Sequence, residues 1–201
     1  FCQKMMVRTA ISPNFFLDPE MSEDIMKEEV VINKYNNDLN TKIAIYEDRV
    51  NGWFLDMARI LRETQHAGFV ILMISISQIE GMEQFRMGKE TTSSDTREVI
   101  KNALMRIFAI PSQYEPALNI IVNDVRHGLF HDGMVRKKIS ISTELNVPIL
   151  LREDNETIII NPHYFFDGVR ADFSRYISQL TDPLSIELRK NFEKRWDELQ
   201  S

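Results

Sequence analysis

The sequence predicts a mainly α-helical bundle, with a small antiparallel β-hairpin inserted after the helix that ends near residue 132. Long stretches repeat apolar residues every three or four positions, which is typical of helices that bury one face. Only seven glycines and seven prolines interrupt the 201 residues, so long elements are expected. After Gly133 the apolar period shortens to two, with Ile139 and Ile141 separated by a serine, and this alternation predicts strands.

One strong helix is predicted in the first third of the chain, over residues 38–63. Its apolar residues follow in steps of four and three, which is a heptad seam. The seam consists of Leu39, Ile43, Tyr46, Val50, Trp53, Met57 and Ile60. Packing within the bundle explains such a seam, and a partner or dimer helix is the alternative. Residues 25–35 are predicted to form a preceding helix or an extension, and residues 1–21, broken by Pro13 and Pro19, an irregular N-terminal arm.

Three further helices are predicted before the strands. Residues 66–87 form the central one, because the first half of this segment is apolar on all sides. The next begins at Asp95 and ends before a proline. The third begins with a capping box of Ser112 and Glu115, and Gly133 ends it after residue 131 or 132.

A small sheet and two helices complete the predicted fold. Apolar, β-branched runs predict two or three antiparallel strands. These runs are residues 139–143, 147–151 and 157–160. Asn161–Pro162 begins one helix, and Asp182–Pro183 precedes the last. No linker or repeat is evident, so residues 22–201 are predicted to form a single helical domain with the hairpin at about residues 137–160.

The composition excludes several classes of protein. Hydrophobic residues make up 43% and charged residues 27% of the chain, which excludes disorder as its main state. The net charge of -6 argues against a protein that coats long nucleic acids, but it permits an enzyme with one small cationic pocket. No segment has the roughly 20 apolar residues of a membrane span, so no membrane partner is expected. The single cysteine, Cys2, indicates a reducing compartment such as the cytoplasm.

The segment most suggestive of chemistry is Arg126–His131, at the end of the helix that begins at Ser112. Two of the four histidines, His127 and His131, fall here within five residues. Four positions apart on an α-helix, these two share a face. Arg126 and His131 lie about 140° apart around an α-helix. A second element or subunit would therefore have to close over that edge to complete a pocket.

The segment Arg126–His131 resembles the motif of the HEPN superfamily. That motif is an arginine, a polar residue, three further residues and a histidine, placed late in a long helix. The Asp132–Gly133 turn, the hairpin and the helix that starts at Asn161–Pro162 are also similar to members of this family. The resemblance covers roughly residues 40–180. HEPN proteins are small helical bundles, and many are metal-independent ribonucleases of toxin–antitoxin, phage-defence and RNA-processing systems.

The resemblance implies an endoribonuclease of defence or toxin type. Arg126 would stabilise negative charge on the scissile phosphate, and His131 would act as general acid or base. His127 would orient this pair or share the proton transfer. Because the 2′-hydroxyl of RNA supplies the nucleophile, no metal and no cofactor is expected. The resemblance also implies a homodimer whose two motifs face each other, with an antitoxin or regulatory protein as a candidate partner.

Six other residues are candidates for supporting roles. Asn123 lies one turn before His127 on the same stripe and is a candidate for binding the substrate. Three cations that follow the helix are candidates for binding flanking phosphates, although such a run is usually just solvated. They are Arg136, Lys137 and Lys138. Glu80 and Gln78, polar residues of the central helix, are candidates for contacting the motif residues and fixing their orientation.

Other interpretations stay open. The main alternative is a non-catalytic HEPN-like module that binds RNA, a nucleotide or a partner protein, and the acidic charge favours it. Arg126 would then pair with a neighbouring acid, and His131 would be a cation favoured by the helix dipole. A zincin site would need a glutamate where Gly128 stands. HEPN toxins paired with a nucleotidyltransferase antitoxin carry a tyrosine where this chain has Gly133, which argues against that pairing. A small-molecule enzyme that uses the histidines is the third possibility.

Overall fold

The structure is a computed structural model of the chain. It describes residues 9–17, 30–31, 38–92, 95–132, 134, 139–151 and 158–200. The predicted mainly α-helical fold with a small sheet is confirmed. Within the described ranges, no helix is long and apolar enough to cross a membrane. Contacts divide the chain into two compact units, Phe1–Met57 and Ala58–Ser201. The prediction of one domain over 22–201 stays a prediction, because its boundary at residue 21 lies outside the described residues.

The first unit contains three short strands where an irregular arm and a helix were expected. They are β1 (Thr9–Ala10), β2 (Phe15–Leu17) and β3 (Val30–Val31), with β1 antiparallel and β3 parallel to β2. Pro13 lies in the turn between β1 and β2, where a fixed φ is an advantage. The helix predicted over 25–35 is wrong at Val30–Val31, where two β-branched residues favour a strand. The rest of that segment lies outside the described residues.

The helix predicted over 38–63 is confirmed, with a π-helical stretch in its middle. Its parts are α1 (Leu39–Val50), π1 (Asn51–Leu55) and α2 (Asp56–Leu61). The Asp38 carboxylate caps α1 by accepting from the backbone N–H groups of Asn40 and Thr41. In the heptad seam Ile43, Tyr46 and Val50 are buried, whereas Trp53 and Met57 are exposed. Packing within the first unit therefore explains only the first half of the seam.

The helices of the second unit pack around a central one, α3. They are α3 (Gly68–Met87), α4 (Asp95–Phe108), α5 (Glu115–Ile120), π2 (Ile121–Asp132), α6 (Pro162–Thr181) and α7 (Ile186–Gln200), with a 3₁₀ turn at Ser112–Tyr114. α3 contacts α4, π2, α6 and α7. This central position explains the buried apolar residues of its first half, whereas Phe69 and Val70 at its start are exposed. Its buried side chains form one core with those of α4, α5, π2, α6 and the sheet.

The helix start at residues 112–115 differs from the prediction. The expected capping box is wrong, because no side chain caps either the 3₁₀ turn or α5. The Glu115 carboxylate instead accepts from Lys101 Nζ at 2.5 Å, which removes it from the capping position. The combined helix ends at Asp132, as predicted. The expected stop at Gly133 lies outside the described residues.

The second unit also contains a three-stranded sheet in the order β4-β6-β5. Its strands are β4 (Ile139–Ile141), β5 (Ile149–Leu151) and β6 (Ile158–Ile160). β5 and β6 form the predicted antiparallel hairpin, but β4 is parallel to β6, so the purely antiparallel sheet is wrong. The Asn161 side-chain amide donates to the carbonyls of Thr143 and Leu145. These bonds hold the segment after β4 against the start of α6.

Candidate functional site

The motif arginine, Arg126, lies in π2, and a carboxylate of α3 holds its guanidinium. Nε donates to Glu80 Oε2 at 2.9 Å, and Nη2 donates to Glu80 Oε1 at 3.0 Å. A bidentate contact of this kind fixes the orientation of the guanidinium as well as its distance. The side chains of Arg126 and Glu80 are 27% and 21% exposed, so water shields the pair only in part. A guanidinium has five N–H groups, and most of those of Arg126 are not used by Glu80.

The two candidates on the central helix are placed differently. Glu80 contacts Arg126 directly, as an orienting residue must. Gln78 is half-buried and lies two positions earlier, which is about 200° around an α-helix. The two side chains therefore point to different sides of α3, and only Glu80 is placed to hold the motif arginine.

The motif lies in a π-helix, which changes the angle between its residues. Hydrogen bonds from residue i to i+5 widen the turn, so residues five apart lie closer together around the axis than on an α-helix. Positions 126 and 131 are therefore separated by less than the roughly 140° that an α-helix would give. Helical distortions of this type are frequent at functional sites.

Five candidates lie wholly or partly outside the description. The backbone positions of His127 and His131 in π2 are described, but their side chains are not. The three cations after the helix lie entirely outside the described residues. They are Arg136, Lys137 and Lys138. The roles assigned to all five stay predictions.

Asn123 lies three residues before Arg126 in π2 and is half-buried. Its side-chain oxygen, Oδ1, is buried and has no hydrogen-bond partner among the residues that the structure describes. A buried acceptor without a donor costs about 1–3 kcal/mol. Such atoms in native proteins call for a water, a ligand or a functional explanation. Asn123 therefore stays a candidate for contacting the substrate.

A groove of about 960 Å³ lies elsewhere in the second unit. Its walls are residues 62–69, residues 139–144 and His163. Burial, and next the positive charge of Arg62, lower the pKa of His163 and favour its neutral imidazole. The Arg62 guanidinium is itself held by Asp167, with Nη1 at 2.7 Å from Oδ1 and Nη2 at 3.2 Å from Oδ2. Among the residues that the structure describes, no predicted site residue lines this groove.

A cluster of arginines and carboxylates one turn further along α3 was not anticipated. Glu83 contacts Arg106 Nη2 at 2.5 Å and Arg86 Nε at 3.2 Å. The carboxylate of Asp172, on α6, contacts Arg106, Arg86 at 3.5 Å and Arg175 at 3.3 Å. We call these five residues the arginine cluster. It joins α3, α4 and α6.

The signal for this cluster was present in the α6 sequence. Asp172 interrupts an otherwise apolar face, next to Val169, Phe173 and Tyr176, and its side chain is 2% exposed. Because a charge is rarely buried without a partner, such an interruption predicts cations on neighbouring helices. Burial also raises the pKa of Glu83, against the lowering effect of its arginine neighbours.

The chain has no match among protein-family models, among curated proteins or among solved structures. The site must therefore be interpreted from its own chemistry. In the described ranges, no group of three or more His, Cys, Asp and Glu side chains is arranged to hold a metal ion. The Arg126–Glu80 contact remains the best-defined feature of the predicted site.

Proposed function

We propose that this protein is a HEPN-like, metal-independent endoribonuclease of defence or toxin type, with Arg126, His131 and His127 in its active site. The bidentate contact between Arg126 and Glu80 carries the proposal. Stabilising charge that develops on a phosphate requires a cation that is already oriented before the reaction. The π-helical register supports the same idea, because it allows positions 126 and 131 to serve one phosphate.

The proposed reaction uses the RNA itself as the nucleophile. A 2′-hydroxyl loses its proton to a base and attacks the adjacent phosphorus, and the bond to the 5′-oxygen of the next nucleotide breaks. An acid returns a proton to that oxygen, which leaves a 2′,3′-cyclic phosphate and a 5′-hydroxyl. His131 acts in one of these proton transfers, and His127 orients it or shares them. Arg126 binds the phosphate oxygens, and DNA is no substrate because it lacks the 2′-hydroxyl.

The same proposal includes the assembly. Two copies of the chain pair so that their motifs face each other and form one cleft. A cognate antitoxin or regulatory protein restrains the activity in the cytoplasm. Size-exclusion chromatography with light scattering tests the pairing directly, since a purified monomer would contradict it.

Cleavage of single-stranded RNA in the presence of EDTA tests the activity. We expect wild-type protein to cleave RNA but not DNA of the same sequence. We expect Arg126→Ala and His131→Ala to lower the rate at least about 100-fold, as is usual for loss of a charge-stabilising or acid–base group. Arg170→Ala, at an exposed position of α6, is the matched control and should keep the rate. Equal rates in all variants, or no cleavage of varied RNAs by wild-type protein, would disprove the proposal.

One observation favours a non-catalytic helical module instead. The Glu80 carboxylate already occupies two N–H groups of Arg126 and joins α3 to π2, which is also how a purely structural contact is built. Such a module would bind RNA, a nucleotide or a partner protein without cleaving it. Expression in a host separates the two proposals. A toxin impairs growth, and Arg126→Ala relieves the effect, whereas both forms of a scaffold are tolerated.

A further inference from the structure

Two arginines contact α3 carboxylates that are one turn apart. Glu80 holds Arg126, and Glu83 contacts Arg106 at 2.5 Å. Because these carboxylates are at positions i and i+3, their Cβ atoms are about 5–6 Å apart. Arg126 and Arg106, which come from different helices, are therefore held by carboxylates on successive turns of α3.

A third arginine continues the series. Arg106 Nη1 and Arg175 Nη2 both contact the same oxygen of Asp172, Oδ1, the second at 3.3 Å. Their guanidinium groups are consequently adjacent. We call Arg126, Arg106 and Arg175 the arginine row. It follows the contacts from π2 over α4 to α6.

Two members of the row, Arg106 and Arg175, are exposed to water. The side chain of Arg106 is 40% exposed and that of Arg175 is 60% exposed. In the arginine cluster three guanidinium groups meet two carboxylates, so this patch keeps one positive charge on a chain whose net charge is -6. A purely structural network has no need of that surplus, since Asp172 is already contacted by Arg86 and Arg106.

We propose that the arginine row is a binding site for the backbone of single-stranded RNA, in which Arg106 and Arg175 contact phosphates next to the one bound by Arg126. The inference rests on the proposed function for its substrate. Guanidinium groups on phosphates fix the register of a strand without reading its bases. The row therefore predicts binding with little sequence preference, and it gives the acidic chain a local site for a polyanion.

The salt dependence of RNA binding tests the row. The probe is a short, labelled, 2′-O-methylated single-stranded RNA, which has no free 2′-hydroxyl and so binds without being cleaved. Arg175→Gln is the test variant, because Asp172 keeps two other arginines and the fold is expected to survive. Arg170→Gln makes the same change of charge at an exposed position of the same helix. Circular dichroism and thermal unfolding of both variants check that the fold is intact.

We expect Arg175→Gln to weaken binding several-fold at low salt. It should also reduce the slope of log K against log salt by about 0.7, the value for one phosphate contact to a single strand. Arg170→Gln should keep the wild-type affinity and slope. Identical slopes for the two variants, or no binding of the probe by wild-type protein, would overturn the proposal that the arginine row binds RNA. Binding that depends on Arg175, together with no cleavage of unmodified RNA, would support the arginine row as an RNA-binding site and disprove the proposed nuclease activity.

Discussion

Arg126 and Arg106 both contact carboxylates of α3, yet their surroundings differ. Arg126 contacts Glu80 through two hydrogen bonds, and both side chains are partly exposed. Arg106 contacts two carboxylates, Glu83 and Asp172, and the second of these is 2% exposed. Arg126 thus forms an ion pair between two helices, whereas Arg106 belongs to a network of ion pairs that spans three helices.

The difference separates a contact that stabilises the fold from one that orients a side chain. Removing one partner from a buried ion pair costs about 3–5 kcal/mol, because a charge is left without compensation. Exposed pairs contribute about 0–1 kcal/mol. We therefore expect substitution of the buried Asp172 to lower stability, and substitutions around Arg126 to lower activity.

The largest effect is expected for Asp172→Asn. This change removes the buried negative charge that three arginines share, and Arg86 in particular stays mostly buried. We expect the free energy of unfolding to fall by about 3 kcal/mol, the low end of the range for buried pairs, since Arg106 and Arg175 reach solvent. Urea unfolding followed by circular dichroism measures it.

Asp167→Asn is the matched control on the same helix. Asp167 also pairs with an arginine, Arg62, but the two side chains are 43% and 29% exposed. We expect a loss below about 1 kcal/mol. If the two aspartate variants lose equal stability, burial does not distinguish the two kinds of contact, and the comparison between Arg126 and Arg106 fails.

The sequence was informative where periodicity and capping chemistry are local. The apolar pattern of residues 66–87 predicted α3 within two residues, and Asn161–Pro162 predicted the start of α6. At α6 the Asn161 carboxamide accepts from the N–H groups of His163 and Tyr164, as an N-cap does. Glu80 contacts the motif arginine, and its role in orienting the motif stays a prediction.

Other features depend on contacts that local patterns do not contain. The parallel pairing of β4 with β6 joins residues 19 positions apart, and so is not written in any local pattern. The capping box at Ser112 failed because Lys101, from the previous helix, takes the Glu115 carboxylate. The π-helical register of residues 121–132 was not predicted, because the apolar patterns that indicate a helix assume 3.6 residues per turn.

A smaller effect is expected for Glu80→Gln. The substitution keeps the size of the side chain but removes the charge and one acceptor of the bidentate contact with Arg126. We expect RNA cleavage to slow by roughly tenfold, as loss of a ligand-orienting contact does, and stability to fall by about 1 kcal/mol. Initial rates and urea unfolding measure the two quantities.

Two further variants make the Glu80 result specific. Glu98→Gln, on α4, removes a carboxylate that is 60% exposed and contacts Lys101, so it should change neither quantity appreciably. Glu80→Asp keeps the charge, and we expect it to recover part of the rate. An unchanged cleavage rate in Glu80→Gln would show that Arg126 needs no orientation by α3, and the contact between the two residues would then be purely structural.

The smallest effect concerns pH and Glu83, the carboxylate of the cluster on α3. Burial raises the pKa of Glu83 above its ordinary value of 4.5. At a pH between 4.5 and the raised pKa of Glu83, the folded protein holds a proton that the unfolded chain has released. The free energy of unfolding therefore falls as pH rises through this range. Glu83→Gln has no such proton. The stability of wild-type protein relative to this variant should therefore be greatest below pH 4.5 and decline above it.

Asp48, in the first unit, is expected to change stability with pH in the opposite direction. Burial alone would raise the pKa of Asp48, but hydrogen bonds from Ser12 and Asn14 outweigh it and hold the pKa below its ordinary value of 3.8. The stability of wild-type protein relative to Asp48→Asn should thus be present above pH 3.8 and be lost as pH falls below it. Urea unfolding at a series of pH values measures both trends. Trends of the same sign would mean that the positive charges of Arg106 and Arg86 outweigh burial at Glu83.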